Sequence, residues 1–477
     1  MVDSSIKTAG ELRTTEAVSN GMNDVALSFH RTHFISETIR WPYDFLLSSN
    51  SAIPYSGVSV SFNYRKPNMR FSFHVILRIK YIICSSQSQE SFIGGRMYTL
   101  NTNKVIDYGE NMAEAKFIVF EDGRVLFRYG KIQKESPFEV EIHCSLTSRM
   151  HGEHEEIQKQ HRDWARSFNI LSNKESVQKF YDTRFDVLTS YQYHDLPVEL
   201  AVLASNLMTW FFVFDDVMDS YHGKESEVKN YQSKLCKRHL DVLIGESPQD
   251  NDVRCVHAFY DFLRKSRLLS RDSLSPWYER MVYHLREYIL GTCWESLMSS
   301  STVKSINTAL YQQIRHMTVG VAPCHDLMAI AKKIPAEPIL ENLFIRRLER
   351  MAINYSIWVN DIAGLGRDMK RGLGNVILTF QRDHSLTLTE AAQMVARMCD
   401  KELEAFLAVE KQLPTLLENV YKKDREVYED YMDVLKRWMR GLVDWSARSD
   451  RYQRLDVDMT LLSGSWINQA LQKNHPD

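Results

Sequence analysis

Phe211-Phe212-Val213-Phe214-Asp215-Asp216-Val217-Met218-Asp219 runs an aromatic stretch straight into three carboxylates. On a helix Asp215 and Asp219 stand at i and i+4 and share a face. Asp216 lies about 100° further round. Carboxylates this close repel one another. A hard divalent cation is the natural remedy, because Mg²⁺ takes oxygen ligands and is commonly held by one or two carboxylates together with phosphate groups. The plainer reading is a helix that ends in a solvated acidic turn. Trp210 and the three phenylalanines in front of the acids count against it, since they set the cluster against apolar surface.

A second cluster, Asn360-Asp361-Ile362-Ala363-Gly364-Leu365-Gly366-Arg367-Asp368, follows Trp358-Val359. Asn360, Gly364 and Asp368 fall at i, i+4 and i+8 and stack along one helix face. An amide oxygen and a carboxylate two turns apart could grip one metal ion, with the gap at Gly364 leaving room for a water. Gly364 and Gly366 each cost a helix about 1 kcal/mol relative to alanine, which suggests a close approach by ligand or metal. The alternative is an Asn, Asp and Gly loop between helices.

Taken together, Asp215-Asp216-x-x-Asp219 and Asn360-Asp361-x-x-Gly364-x-x-x-Asp368 resemble the two metal motifs of class I terpene synthases, most closely the bacterial type that also occurs in corals. The likeness spans about Pro137 to Trp466 and leaves the first 135 residues uncovered. Tyr311 to Gly320 resembles the family's segment carrying a diphosphate-sensing arginine. That match makes Arg315 the sensor and Thr318, Val319 and Gly320 substrate contacts, with Gly320 and Pro323 suiting the helix break where backbone groups point at the substrate. Trp445 to Tyr452 resembles the C-terminal Trp…Arg-Tyr element, which makes Arg451 and Tyr452 diphosphate contacts. Arg367 stands where the family often has a basic residue. The chain departs from the pattern in carrying Gly364 where Ser or Thr is usual and Asp368 where Glu is usual.

The resemblance implies an all-α class I terpenoid synthase bundle enclosing a cavity. It also implies Mg²⁺ as cofactor, about three ions, held by Asp215, Asp216 and Asp219 on one rim and by Asn360, Gly364 (through water) and Asp368 on the other. Asp361 takes a supporting or capping role. The implied reaction is ionisation and cyclisation of a linear prenyl diphosphate of C15 or C20. Aromatic faces stabilise the resulting cation without attacking it, and Phe211, Phe214, Trp294 and Trp358 are the candidate lining residues. Two other readings stay open. A chain-elongating prenyl diphosphate synthase carries two aspartate-rich motifs, and the Asn360 and Gly364 cluster speaks against it. A helical scaffold protein would carry both acidic turns as solvated surface.

These residues need rigid elements to bring them together, and the rest of the chain supplies them. The 477 residues, 44% hydrophobic and 25% charged, have the balance of a globular protein. A net charge of −2 gives no electrostatic case for nucleic acid or an anionic membrane. The seven scattered cysteines form no CxxC or zinc spacing, which fits a reducing, cytoplasmic setting. The early apolar run from Val75 to Cys84 is interrupted by Arg78 and Lys80 and is too short to cross a bilayer. A homodimer is left open.

The sequence divides into an extension, 1–135, and a helical catalytic domain, 136–477. The first 30 residues or so are polar and expected to be mobile. Alternation at Val58, Val60, Phe62 and Tyr64, continued by Phe71, Phe73 and Val75, predicts strands. Lys116–Phe120 and Arg124–Tyr129 flank Glu121-Asp122-Gly123 as a hairpin. Pro137 to Cys144 is extended. Helical periodicity begins at Glu153 and dominates to about 470, with breaks at Gly223, Ser247-Pro248, Ser275-Pro276, Pro335 to Pro338 and Gly372-Leu373-Gly374.

Overall fold

The computed structural model describes residues 58–66, 69–77, 116–130, 136–170, 173–219, 226–271, 274–298 and 306–454. The expected mobility of the N-terminus and the break at Gly223 lie outside them. The chain falls into two compact units, Met1–Asn103 and Lys104–Asp477. In the first, β1 (Val58–Lys66) and β2 (Met69–Leu77) form an antiparallel hairpin that pairs Phe62 with Phe73 and Val60 with Val75.

The second unit opens with β3 (Lys116–Val119), β4 (Arg124–Tyr129) and β5 (Phe138–His143), an antiparallel sheet in that order. Gly123 takes φ +89° in the β3–β4 turn, where an added Cβ would meet the Cys144 carbonyl oxygen at 2.9 Å. On β5 the residues alternate strictly between buried and exposed, so one face of the sheet packs on the helices.

The helices follow in order: α1 (His154–Ser167), α2 (Lys174–Thr183), α3 (Phe185–Gln192), α4 (Val198–Asp219), α5 (Ser226–Leu243), α6 (Arg254–Leu269), α7 (Ser275–Met298), α8 (Thr308–Thr318), α9 (Val321–Ala331), α10 (Ala336–Leu340), α11 (Leu343–Arg371), α12 (Val376–Asp383), α13 (Leu388–Leu416), α14 (Glu418–Ser446) and α15 (Asp450–Gln453). Local chemistry sets their ends. Asn307, Asn342 and Asn375 cap α8, α11 and α12 by accepting from first-turn backbone N–H groups. Thr387 and Glu390 form a reciprocal capping box on α13. Gly372, at φ +68°, ends α11, with Leu373 N–H donating back to the Asp368 carbonyl.

The helices α3, α4, α7, α8, α11 and α14 pack in a closed ring, each against the next. α4 is long and apolar enough to cross a membrane. Since 72% of its most apolar window is buried inside the protein, it has the surroundings of a core helix.

A buried polar knot ties α7, α9, α11 and α14 together. Arg280 donates to Asp326 Oδ1 at 2.5 Å, to both oxygens of Glu349 and to the Tyr431 hydroxyl. Tyr431 in turn donates to Glu349 at 2.7 Å. Removing one partner of such a pair strands a buried charge, at a cost of about 3–5 kcal/mol. Glu349→Ala is therefore expected to destabilise the fold by roughly 3 kcal/mol or more, read as a lowered midpoint in urea denaturation. An unchanged midpoint would show that the knot contributes nothing.

Candidate active site

Inside the helix ring lies one cavity, and both acidic clusters reach it. Its wall includes Phe211, Phe212 and Asp215 from α4, Tyr288 from α7, Arg315 and Thr318 from α8, and Val319, Gly320 and Val321 at the α8–α9 break. Asn360 and Arg367 enter from α11, Trp438, Leu442 and Trp445 from α14, and Arg451 and Tyr452 from α15. Asp215 and Asn360, 145 positions apart in sequence, thus face one hollow.

The α4 rim follows from helix spacing. Asp215 keeps 30% of its side chain exposed and Asp219 keeps 15%, while Asp216 is fully buried. Burial pushes the Asp215 carboxyl above its ordinary range, with Arg367 and Arg451 pulling it back. Burial and repulsion from Asp215 push Asp219 well above its own. Asp216 points at two arginines, Arg451 at 3.5 Å and Arg371 at 3.9 Å, and Arg371 also reaches Asp219 at 3.5 Å. An all-oxygen donor set whose charges repel is suited to a hard cation. Among the described residues no three Asp, Glu, His or Cys side chains converge into a ready-made cage.

On α11, Asn360 accepts from Arg315 at 2.9 Å and donates to the Tyr452 hydroxyl at 3.0 Å. Asp361 turns the other way. It accepts from Arg315 at 3.0 Å, from Tyr311 at 2.9 Å and from Val376 N–H at 2.8 Å, so it anchors Arg315 and the start of α12. Asp368 is clasped by Arg367, which donates twice to Oδ1 at 2.9 and 3.0 Å, and by Asn375, which donates to Oδ2 at 2.9 Å.

Arg451 carries the clearest sign of a missing ligand. Its side chain is 0% exposed, yet none of its three guanidinium nitrogens has a hydrogen-bond partner. It lies 4.5 Å above the Phe212 ring and 4.0 Å from Asp215. Burial and the neighbouring Arg367 lower its affinity for its proton. A buried guanidinium that faces a cavity and makes no hydrogen bond fits an anion with several acceptor oxygens.

Four expectations need correction. Trp294 is 41% exposed and does not line the cavity. Tyr288 holds the inner face of α7, and six residues on the helix has turned about 240°. Phe214 is buried, but it stacks on Trp210 at 5.5 Å in an aromatic layer behind the wall. Trp358 is buried and absent from the lining, because it stands about 200° around α11 from Asn360. The room read at Gly364 is filled: a Cβ there would meet Asp368 Oδ2 at 2.9 Å.

Sequence reasoning missed Tyr288, Glu295, Arg371 and Asn375. The Glu295 carboxyl is pushed up to about 7 by burial, opposed by Arg315 and reinforced by Asp215. Arg371 sits at i+4 from Arg367, a spacing that could have flagged it. Asn375 reads locally as an ordinary cap after a glycine break, although it also donates to the Asp361 carbonyl at 2.8 Å.

The family model for terpene synthase family 2, C-terminal metal binding, matches residues 206–405. That span includes both acidic clusters. The chain is 26% identical over 319 residues to germacrene A synthase of Nostoc punctiforme, covering 66% of this chain and 95% of that one. It is 26% identical over 337 residues to pentalenene synthase of Streptomyces exfoliatus, covering 69% and 96%. It is 25% identical over 291 residues to a (+)-T-muurolol synthase of Roseiflexus castenholzii, described as farnesyl diphosphate cyclizing, covering 61% and 86%. Among solved structures, linalool/nerolidol synthase from Streptomyces clavuligerus shares the fold with TM-score 0.55 at 21% identity, over 63% of this chain and 98% of that one. These relatives match along nearly their whole length, and the matched region lies on the helices that bring Asp215 and Asn360 to one cavity, so residues 206–405 carry the C-terminal metal-binding domain of terpene synthase family 2 on a terpene synthase fold.

Proposed function

We propose that the protein ionises farnesyl diphosphate, with Mg²⁺ as its cofactor, and cyclises the cation to a sesquiterpene. The observation that carries this reading is the fully buried Arg451, whose guanidinium makes no hydrogen bond, at the polar end of an otherwise greasy cavity. The C15 chain length is taken from the printed description of the muurolol synthase relative. Asp215, supported by Asp219 and Asp216, would hold metal on one rim, and Asn360 and Asp368 on the other. When bound, about three Mg²⁺ ions would neutralise the diphosphate and make it a better leaving group.

The chain's own groups do the rest. As the bond between carbon and the diphosphate oxygen breaks, Arg451, Arg315, Arg367 and Tyr452 donate charge-assisted hydrogen bonds to the departing oxygens. Phe211, Phe212, Tyr288, Trp438 and Trp445 offer ring faces to the cation. The Tyr288 hydroxyl is already engaged, donating to the Phe211 carbonyl at 3.1 Å, so it is not left as a free nucleophile. The released diphosphate serves as the base for the last proton.

Gas chromatography of products from purified protein, offered C10, C15 and C20 diphosphates separately, tests the reading. A cyclic C15 product that disappears on chelation of Mg²⁺ is expected. Chain lengthening when a C5 homoallylic diphosphate is added would favour the elongating alternative, and no product from any substrate would sink the proposal. Asp215→Ala, Asn360→Ala and Arg315→Ala should each lower turnover about 100-fold or more while the helical spectrum stays intact. Wild-type turnover in any of them removes that residue from the site. Gly364→Ser, which restores the residue usual in the family motif, must push the Asp368 carboxylate out of its clasp. A loss of about 1–2 kcal/mol in stability is expected by thermal melting, and an unchanged melting temperature would show that Asp368 yields freely.

A further inference from the structure

The β3–β4–β5 sheet precedes the matched region 206–405, and none of its residues lines the cavity. It is nevertheless bonded to two of the three segments that carry the groups proposed to meet the diphosphate, α15 and α11. Among the described residues β3 is an edge strand, with outer backbone groups that no other described strand takes up. The side chain of Gln453 takes up that edge. Phe117 N–H donates to Gln453 Oε1 at 3.1 Å, and Gln453 Nε2 donates to the Phe117 carbonyl at 3.4 Å and to the Ala447 carbonyl at 2.8 Å. One amide thus stands in for a neighbouring strand and ties β3 to the turn between α14 and α15.

Gln453 comes directly after Arg451 and Tyr452 on α15, a four-residue helix too short to hold its own geometry. Across the sheet, the buried Tyr129 hydroxyl on β4 donates to the Ile362 carbonyl at 2.5 Å, two residues beyond Asn360 on α11. The Tyr129 ring stacks on Phe138 at 4.8 Å, which fixes its direction. The bond from Asn360 to the Tyr452 hydroxyl closes the loop. Sheet, α15 and α11 therefore form one hydrogen-bonded circuit around the polar end of the cavity.

We infer that this sheet positions the diphosphate clamp, with Gln453 as the positioning residue for Arg451 and Tyr452 and Tyr129 as a second tie through α11. The inference rests on the function proposed above. Gln453→Leu keeps the size of the side chain and removes every bond it makes to β3, and Tyr129→Phe deletes a single hydroxyl. Binding of inorganic pyrophosphate with Mg²⁺ to the full-length protein is measured by calorimetry, and the ligand-free melting temperature is recorded in parallel.

Folded Q453L should bind pyrophosphate about fivefold more weakly than wild type, the scale of one hydrogen bond lost from the clamp's support. Y129F should show a smaller loss in the same direction. A merely structural tie would lower the ligand-free melting temperature and leave pyrophosphate affinity at the wild-type value. That result in Q453L, or in Y129F if Q453L does not fold, overturns the positioning role and leaves the proposed function standing. Wild-type protein that fails to bind pyrophosphate with Mg²⁺ overturns both.

Discussion

A charge that is buried but not satisfied governs this structure. Arg451 is enclosed on every side, and its guanidinium meets a ring face and two carboxylates at 3.5 to 4.0 Å without a single hydrogen bond. Burying a cation in this way is costly, and the fold meets the cost with carboxylates near enough to attract yet too far to saturate it. The acidic rim has the mirror problem. Asp215 and Asp219 repel each other, and burial raises both carboxyls. The two deficits sit face to face, so a polyanion accompanied by cations relieves both at once.

Holding such a site open requires that its members not collapse onto each other. The chain does this by giving each charged group a second anchor. Arg315 is shared between Asn360 and Asp361, and Asp361 is itself fixed by Tyr311 and by the first turn of α12. Gly320 breaks the α8–α9 path at φ +70°, and a Cβ there would sit 3.4 Å from the Phe211 ring. The break is therefore shaped against the same aromatic residue that begins the apolar wall. At the far end, the knot around Arg280 locks four of the helices whose other ends frame the cavity.

Both acidic clusters, the helical body and the short strands were legible because each is written in local periodicity or in residue spacing. The β3–β4 hairpin follows from Glu121-Asp122-Gly123, and the end of α11 from Gly372. Rotational phase was harder. Phe211 and Phe214 are both aromatic and three residues apart, yet only the first reaches the cavity. Phase relative to a cavity depends on where the neighbouring helices pack, and residue type does not encode that. Trp294 shows the same limit on α7. Arg371 and Asn375 were missed for a different reason: their partners lie on α4 and on the preceding helix, and their local signals are those of an ordinary helix end and cap.

The same helices carry both the wall and the rim, and this decides how the site is built. α4 carries no charge from Leu200 to Phe214, after Glu199 in its first turn, and then turns acidic at Asp215, Asp216 and Asp219. α11 likewise carries no charge from Met351 to Val359, directly before Asn360 and Asp361. A helix rises about 1.5 Å per residue, so the switch from greasy to charged happens over a few ångströms along each axis, at the same end of the ring. Polar rim and apolar hollow are therefore set by where the composition of each helix changes, and helix packing brings those changes into register. A loop-built site could place the same groups, but it would lack the dry wall beneath them. Here, under the proposed chemistry, the cation would form beside its counter-ion and meet a wall rich in aromatic surface, in which the Tyr288 hydroxyl is already hydrogen-bonded.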